Sequence, residues 1–264
     1  MDGMAAVSSP LARSGDRSGG RRKILVVGNS HTQIIKEAIA IRASAGMPDA
    51  DDVEVCWLNL GHKSNFGDTP REDAMAKVRS LRSSDLLVMS LIGTLHNLIG
   101  LFDHEIPFSL ALSIYGPLET SPGRQIIPRN VMSDVFKDYV ERVPVFQQLA
   151  EAARCLVVHF IPPPPKEGFA ESGKKRIVDG VQVQLEYAPK HSRLALWKLE
   201  ESAVANYLTG LMVYHYAVPL NAATPEGFLL PAYHSSDATH ANAAFGELLL
   251  RDFERMLHGL PRNP

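Results

Sequence analysis

Five short aliphatic segments recur along the chain, and longer segments of helical character separate them. This alternation is typical of a parallel sheet that helices cover on both faces. We therefore expect a doubly wound α/β fold. The predicted strands are residues 23–27, 53–59, 86–91, 155–161 and 211–216.

The segments between the predicted strands contain both helices and long loops. We predict helices over HTQIIKEAIAIRAS and over residues 71–82, 133–153, 192–208 and 241–257. Two regions rich in proline and glycine, at about 98–132 and 162–191, are predicted to be long loops, with a hairpin at the Asp-Gly of RIVDGVQVQL. Both loops follow the carboxyl ends of strands, which is the edge where open α/β sheets bind ligands.

The composition fits one domain preceded by a tail. The chain has 264 residues, 45% hydrophobic and 21% charged, and we predict a disordered tail over residues 1–22 and a single domain over residues 23–264. A net charge of -2 gives no reason to expect a nucleic acid or an anionic membrane surface as partner. The two cysteines form no zinc pattern. With no signal-peptide pattern and no apolar run of roughly 20 residues, we expect a cytoplasmic protein.

The segment ILVVGNSHTQ ends a predicted strand in a small polar cluster centred on Ser30. A serine between the end of a strand and the start of a helix lies near unpaired backbone N–H groups and the positive end of the helix dipole. Such a place stabilises developing negative charge. The alternative is that Ser30 or Asn29 simply caps the helix, since both residue types are favoured N-caps.

A second polar cluster, YHSSDATH, precedes the last amphipathic helix and places Asp237 three residues before His240. A serine nucleophile needs a base that accepts its proton, and the base needs a carboxylate that fixes its tautomer and stabilises its cation. Asp237 and His240 can supply both from one loop. The alternative is that Ser236, Asp237 or Thr239 caps the helix. A serine after the first strand and an Asp-x-x-His before the last helix would meet at one end of a doubly wound sheet.

GNSH after the first strand and DATH before the last helix resemble the first and last sequence blocks of the SGNH (GDSL-type) hydrolase superfamily. The resemblance implies a three-layer α/β/α sandwich with a flavodoxin-like parallel sheet, here of five strands. It also implies Ser30 as nucleophile, His240 as general base and then acid, and Asp237 as the residue that orients His240. The implied activity is the hydrolysis of acyl esters.

The resemblance also implies an oxyanion hole. Members of the superfamily use the N–H of the nucleophile, a glycine N–H after the second strand, and an asparagine side chain in a Gly-x-Asn motif after the third. Carried over, these donors are Ser30 and, after the second strand, Gly67, whose GDT context favours it over Gly61. Losing such a donor costs about 2.7–4 kcal/mol of transition-state stabilisation, so the identity of each one matters.

The third oxyanion donor is where this sequence departs from the superfamily pattern. The Gly-x-Asn motif requires asparagine at position 95, but Leu95 stands there. Asn97 is the nearest substitute, and His96 is the next. A bent loop or another donor could complete the hole, and reduced activity is a further alternative.

We therefore predict a serine hydrolase that needs neither cofactor nor metal and acts on a small-molecule or carbohydrate ester of a short acyl group, including O-acetyl carbohydrate. The alternatives are an acyltransferase with the same triad and a non-catalytic binding protein that keeps the fold. His31 is predicted to pack beneath the site or to bond the third-strand loop rather than to act as the base. His159 is predicted to be a hydrogen-bonded core histidine.

Overall fold

The computed structural model of the protein describes residues 21–47, 52–59, 67–111, 123–169, 173–178 and 181–260. A parallel sheet lies at its centre, with helices on both faces. In chain order the strands and helices are β1 (Lys23–Gly28), α1 (Gln33–Ser44), β2 (Asp52–Asn59), β3 (Thr69–Pro70), α2 (Arg71–Arg79), β4 (Leu86–Ser90), α3 (Leu95–Gly100), β5 (Phe108–Ala111), β6 (Gln125–Pro128), α4 (Arg129–Glu141), α5 (Pro144–Ala152), β7 (Leu156–Phe160), β8 (Gly173–Val178), β9 (Val181–Glu186), α6 (Lys190–Gly210), β10 (Tyr214–Tyr216) and α7 (Ala243–Gly259).

The strand order across the sheet is β10-β7-β4-β1-β2-β3, and every neighbouring pair is parallel. The five predicted strands are confirmed, and the structure adds a sixth, the two-residue edge strand β3. The last strand is shorter than predicted because α6 continues to Gly210, and Met212 then takes a φ of 56° in the turn that follows. Without β3 the order is that of a flavodoxin-like sheet, whose switch point lies between β1 and β4.

The two faces of the sheet bury separate apolar clusters. Leu25 and Val27 of β1 belong to the cluster that includes α2, α5 and α6, whereas Ile24 and Val26 belong to the cluster that includes α1 and α7. Successive side chains of a strand point to opposite faces, so a strand covered on both sides is apolar at every position. This is why the first aliphatic run of the sequence is uninterrupted.

Helices α1 and α7 pack very closely on one face of the sheet. A Cβ atom at Gly246 of α7 would lie 2.0 Å from the carbonyl oxygen of Ile34 in α1, so only glycine allows this approach. Phe245 and Leu249 of α7 are buried in the same cluster as Ile34. The contact fixes the start of α7 relative to the start of α1, which follows β1.

The helix predicted over residues 133–153 is wrong, because two helices, α4 and α5, occupy this region. Pro144 is the first residue of α5; it has no N–H, and its ring moves Val143 out of the helical region, to φ -106° and ψ 77°. The helices predicted after β1, at 71–82, at 192–208 and at 241–257 are confirmed, within a few residues at their ends.

The two predicted long loops contain short elements. The first holds the second half of α3 and a pair of parallel four-residue strands, β5 and β6, which pack with α4 and α6 around Leu110, Phe136 and Leu196. The second holds the predicted hairpin, because β8 and β9 pair antiparallel; its two turn residues lie outside the described residues. Residues 1–20 of the predicted tail also lie outside them. In the described part of the chain, no helix has both the length and the apolar character needed to cross a membrane.

Candidate active site

Ser30 lies at the corner where β1 ends and a short 3-10 helix, Ser30–Thr32, leads into α1. The backbone N–H of Asn29 donates to the carbonyl oxygen of Ser90 at 2.9 Å, which ties the corner to the neighbouring strand β4. The Asn29 side chain caps the 3-10 helix by accepting a hydrogen bond from the His31 N–H at 3.0 Å. Since Asn29 is the cap, the hydroxyl of Ser30 is left for another partner.

That partner is His240, from the loop before α7. Ser30 Oγ lies 2.8 Å from His240 Nε2, and His240 Nδ1 lies 2.9 Å from Asp237 Oδ2. Helix α7 is capped by Asn242, whose side chain accepts hydrogen bonds from two backbone N–H groups of the first turn. Asparagines near the predicted site residues therefore cap the 3-10 helix and α7, and the structure brings Ser30, His240 and Asp237 together.

The carboxylate of Asp237 is held by its own loop. Its Oδ1 accepts hydrogen bonds from the N–H groups of Thr239 at 2.8 Å and of His240 at 2.7 Å, which leaves Oδ2 for the imidazole. Partial burial raises the pKa of Asp237, but the two backbone N–H groups and the neighbouring His240 lower it by more, so that the pKa falls to about 2. Asp237 is therefore an anion throughout the neutral range, and it accepts the Nδ1 proton of His240 so that Nε2 faces Ser30 as an acceptor.

His31 packs against the ring of His240 instead of bonding to Ser30. The two ring centroids are 4.6 Å apart, and His31 is only 4% exposed. Burial, and after it the charges of His240 and His96, lower the pKa of His31 to about 3, although Asp237 opposes the shift. A neutral ring packed against the imidazole of His240 agrees with the predicted packing role.

Lys166 is a residue of the site that the sequence does not reveal. It is 4% exposed, and its ammonium donates to the carbonyl oxygen of Ser235 at 2.8 Å, to Ser235 Oγ at 3.2 Å and to the carbonyl oxygen of Asp237. Ser235 Oγ in turn donates to the carbonyl oxygen of His240 at 2.6 Å. Burial lowers the pKa of Lys166, and the charge of Asp237 opposes this shift. Lys166 thus holds together the loop that carries Asp237 and His240.

A second buried cation, Arg193, holds the backbone at Lys166 in place. Arg193 of α6 is 5% exposed and donates to the carbonyl oxygens of Lys166 at 2.7 Å, Glu167 at 3.1 Å and Ala188 at 3.0 Å. Burial lowers the pKa of Arg193 to about 10, which still leaves it charged at neutral pH. The Asp237 loop is therefore supported from α6 through two successive cations.

Gly67 lies beside the end of β2, at the carboxyl edge of the sheet. Its φ is 101°, and a Cβ atom there would lie 2.3 Å from the carbonyl oxygen of Leu58, so the position requires glycine. The next residue, Asp68, is tied to α1 by an ion pair with Lys36. Gly61 lies outside the described residues.

The loop after β4 leads into α3, where the candidate side-chain donors lie. Leu95 packs against the apolar cluster formed by β5, α4 and α6. Asn97 is half-buried, and its backbone N–H donates to the carbonyl oxygen of Thr94 at 3.2 Å. His96 is 4% exposed, and its Nδ1 lies 2.7 Å from Oε2 of Glu200. Glu200, in α6, is a further residue that sequence reasoning missed, after Lys166 and Arg193.

His159 is a buried core histidine, as predicted. Its Nε2 accepts hydrogen bonds from the backbone N–H groups of Leu91 at 3.4 Å and Ile92 at 3.5 Å. Burial, and then the charge of His215, lowers the pKa of His159 to about 3, so the ring is neutral. Among the described residues, no group of three or more histidine, cysteine, aspartate or glutamate side chains is arranged to hold a metal ion.

A groove of about 640 Å³ opens at the carboxyl edge of the sheet. Asn59, which ends β2, and Leu91, which follows β4, line its inner side, while Arg71, Tyr139 and Arg142 contribute polar groups from α2 and from the end of α4. The volume is within the range of about 300–1,000 Å³ that small-molecule sites occupy. Ser30, Asp237 and His240 are not among the described residues that line it.

The chain matches no family model and no curated protein. Solved structures match it over most of its length. The periplasmic domain of a lipopolysaccharide acetyltransferase from Salmonella ser. Paratyphi A is 9% identical with a TM-score of 0.46, over 91% of this chain and 85% of that chain. Phospholipase A1 from Streptomyces albidoflavus NA297 is 12% identical with a TM-score of 0.42, over 88% and 99%. An extracellular lipase from Streptomyces rimosus is 10% identical with a TM-score of 0.42, over 89% and 99%. Similarity at this level assigns no activity, which has to be argued from the residues of the site.

Proposed function

We propose that the protein is a serine-dependent hydrolase of carboxylic esters, of the SGNH (GDSL) type. The observation that carries the proposal is the pair of contacts from Ser30 Oγ to His240 Nε2 at 2.8 Å and from His240 Nδ1 to Asp237 Oδ2 at 2.9 Å. A serine becomes a nucleophile when a base accepts its proton and a third group orients that base. The three residues have the types, the order of contacts and the distances that this chemistry needs.

The proposed reaction has two halves. As Ser30 Oγ attacks the ester carbonyl, His240 Nε2 takes the hydroxyl proton, and Asp237 stabilises the imidazolium that forms. The imidazolium then gives its proton to the leaving alcohol, which leaves an acyl group on Ser30. Water, activated by His240 in the same way, releases the acyl group as a carboxylic acid and restores the serine.

The oxyanion of each tetrahedral intermediate needs donors that are already in place. We assign two of them to the backbone N–H groups of Ser30 and Gly67, both at the carboxyl edge of the sheet. The third is a side chain from the first turn of α3, either Asn97 or His96. The proposed substrate is an ester of a short acyl group, including an O-acetyl carbohydrate.

Hydrolysis of p-nitrophenyl acetate tests the proposal. We expect Ser30→Ala and His240→Ala each to lower kcat by at least about 10³-fold, and Asp237→Asn by about 10³- to 10⁴-fold, because the three residues act as a unit. Ser44→Ala is the matched control, since Ser44 is an exposed serine at the end of α1 that bonds only its own helix. Equal rates for wild type and Ser30→Ala would rule out the mechanism.

The same assay distinguishes the two alternatives. With a competing alcohol in the reaction, an acyltransferase makes more acylated alcohol than free acid, whereas a hydrolase makes mainly acid. A non-catalytic binding protein has no turnover that depends on Ser30 and His240. Product analysis by mass spectrometry therefore separates the three functions.

A further inference from the structure

The ring of His31 covers one face of the His240 imidazole, and the proposed reaction gives it no task. The two ring centroids are 4.6 Å apart, and the ring planes meet at 35°. The His31 side chain is 4% exposed, although it directly follows the proposed nucleophile in the chain. Any effect of such a ring on the reaction has to pass through His240.

The two hydrogen bonds of His240 lie at the edges of its ring and leave one rotation open. Nε2 lies 2.8 Å from Ser30 Oγ, and Nδ1 lies 2.9 Å from Asp237 Oδ2. Both nitrogens are in the plane of the ring, so the ring can still tilt about the line that joins them, and the terminal torsion of a histidine side chain is soft. A contact on the face of the ring opposes this tilt, and His31 supplies that contact.

The backbone of His31 is fixed by the 3-10 helix that follows β1. Its N–H donates to Asn29 Oδ1 at 3.0 Å, and the N–H and the hydroxyl of Thr32 donate to the carbonyl oxygen of Asn29 at 3.1 Å and 2.8 Å. Successive side chains of a 3-10 helix diverge by about 120°. Ser30 can therefore reach an edge of the His240 ring while His31 reaches its face. One short helix thus places two adjacent side chains against the proposed base.

Of the two packed imidazoles, only His240 has a partner that stabilises a proton on its ring. Asp237 accepts from Nδ1 of His240, whereas Nδ1 of His31 is buried and has no hydrogen-bond partner among the residues that the structure describes. A doubly protonated His31 would therefore place a cationic N–H in the interior without an acceptor, which is costly. The described titratable groups whose charges reach His31 are His240 and Asp237, from the loop before α7, and His96, from α3. The two rings thus have separate tasks, because His240 can take the proton and His31 stays neutral.

We propose that His31 is a positioning residue, whose neutral ring holds the His240 imidazole in the orientation in which Nε2 faces Ser30 and Nδ1 faces Asp237. The inference rests on the proposed esterase function. His31 forms no covalent bond and exchanges no proton; the proton passes from Ser30 to His240 and on to the leaving alcohol. This role requires a flat, uncharged ring at position 31 and makes no use of its nitrogens. Phenylalanine should therefore replace histidine there, and alanine should not.

Substitutions at position 31, assayed with p-nitrophenyl acetate, test the inference. We expect His31→Ala to lower kcat by about 10- to 100-fold with KM little changed, because a displacement of about 1 Å at a base has an effect of this order. His31→Phe should keep at least about five times the kcat of His31→Ala, since it restores a ring face. His31→Leu, which fills much of the space without a flat face, should lie between the two.

Two further measurements separate positioning from a general loss of stability. The proton that His240 Nδ1 shares with Asp237 is expected to give a far-downfield NMR resonance, which its loss in His240→Ala assigns. This resonance should persist in His31→Phe and should broaden or vanish in His31→Ala. The acid limb of the kcat/KM profile reports protonation of the base. It should lie at the same pH in His31→Phe as in wild type, because the ring at position 31 carries no charge in either protein.

Leu257→Ala is the control for lost stability. Leu257 is fully buried at the opposite end of α7 from the site, so its truncation weakens the fold without touching His240. Circular dichroism gives the folded fraction of each variant, and the kcat of folded Leu257→Ala should equal that of wild type. His104→Ala, at an exposed histidine beyond the end of α3, controls for the loss of a histidine as such.

Several outcomes would overturn the inference. A wild-type kcat in His31→Ala would do so, and so would a folded His31→Phe that is as slow as His31→Ala, because a nitrogen of His31 would then take part in the reaction. If His31→Ala does not fold, equal kcat values in His31→Phe and His31→Leu would overturn it instead. Turnover that does not depend on Ser30 would overturn the proposed function together with this inference, whereas Ser30-dependent turnover that is indifferent to the ring at position 31 overturns the inference alone.

Discussion

Replacing Lys166 by methionine tests whether the loop that carries Asp237 and His240 is held in place by a buried cation. Methionine keeps the length and the apolar stem of lysine and removes only the ammonium. In the structure that ammonium donates to Ser235 twice and to the carbonyl oxygen of Asp237 once, at a position that is 4% exposed. The change therefore removes three hydrogen bonds from one loop without opening a large cavity.

The magnitude follows from these bonds. A hydrogen bond from a charged donor contributes about 1.5–3 kcal/mol, so three of them contribute several kcal/mol, but the variant no longer has to bury an ammonium, which offsets a part of this. We expect the free energy of unfolding to fall by about 2–4 kcal/mol. We also expect kcat to fall on the order of 10²-fold, because a displacement of about 1 Å at a catalytic base has an effect of this size.

Urea unfolding and p-nitrophenyl acetate hydrolysis measure the two quantities. Lys137→Met is the matched control, since Lys137 is exposed on α4 and is expected to change neither. Lys166→Arg should lie between wild type and Lys166→Met, because a guanidinium keeps the charge but fits three acceptors arranged around an ammonium less well. A Lys166→Met protein with the urea midpoint and kcat of wild type would refute the argument that Lys166 positions the loop.

Two further predictions concern Asp237 and Gly28. Because the pKa of Asp237 is lowered from 3.8 to about 2, its ionised form stabilises the fold above about pH 4, and this contribution is lost as the pH falls through about 2. The Asp237 side chain is 53% exposed, so solvent screening reduces the effect. At pH 6 we expect the free energy of unfolding, measured with urea, to be about 1 kcal/mol higher for wild type than for Asp237→Asn, and this difference should shrink towards pH 2. Gly28→Ala would place a Cβ atom 2.5 Å from Thr32 Cγ2 and 2.6 Å from the carbonyl oxygen of Ser90. We therefore expect thermal unfolding to show a free energy of unfolding lower by about 1–3 kcal/mol, and kcat to fall at least about tenfold. A fully active variant would contradict this prediction.

Much of the fold can be predicted from the sequence, because the signals involved are local. A strand buried on both faces is a continuous aliphatic run, and an amphipathic helix repeats its apolar residues every three or four positions. The division between α4 and α5 was also visible in principle, since Pro144 cannot donate within a helix. The parallel pair β5 and β6 could not be predicted, because the hydrophobic pattern of a four-residue strand is too short to distinguish it from a loop.

Glu200 and Lys166, both buried, differ in how far the sequence reveals them. Glu200 lies three residues after Trp197 and four before Val204, on the buried stripe of α6, so a charged residue on an apolar face was a usable signal. Lys166 follows four prolines in an irregular segment with no period, and its acceptors are 69 and 71 residues away in the chain. Burial of such a residue depends on tertiary contacts alone.

The arrangement of caps explains why two weak motifs combine into a specific site. Asn29 caps the 3-10 helix that leads into α1 by accepting from one backbone N–H, and Asn242 caps α7 by accepting from two. If Ser30 were the N-cap, its oxygen would be turned towards its own helix and could not meet an imidazole from a loop 210 residues further along the chain. The close packing of α1 on α7, which a side chain at Gly246 would prevent, then brings Ser30 within hydrogen-bond distance of His240. The arrangement of the site thus depends on which polar residue is the cap in each place, Asn29 rather than Ser30 and Asn242 rather than Asp237.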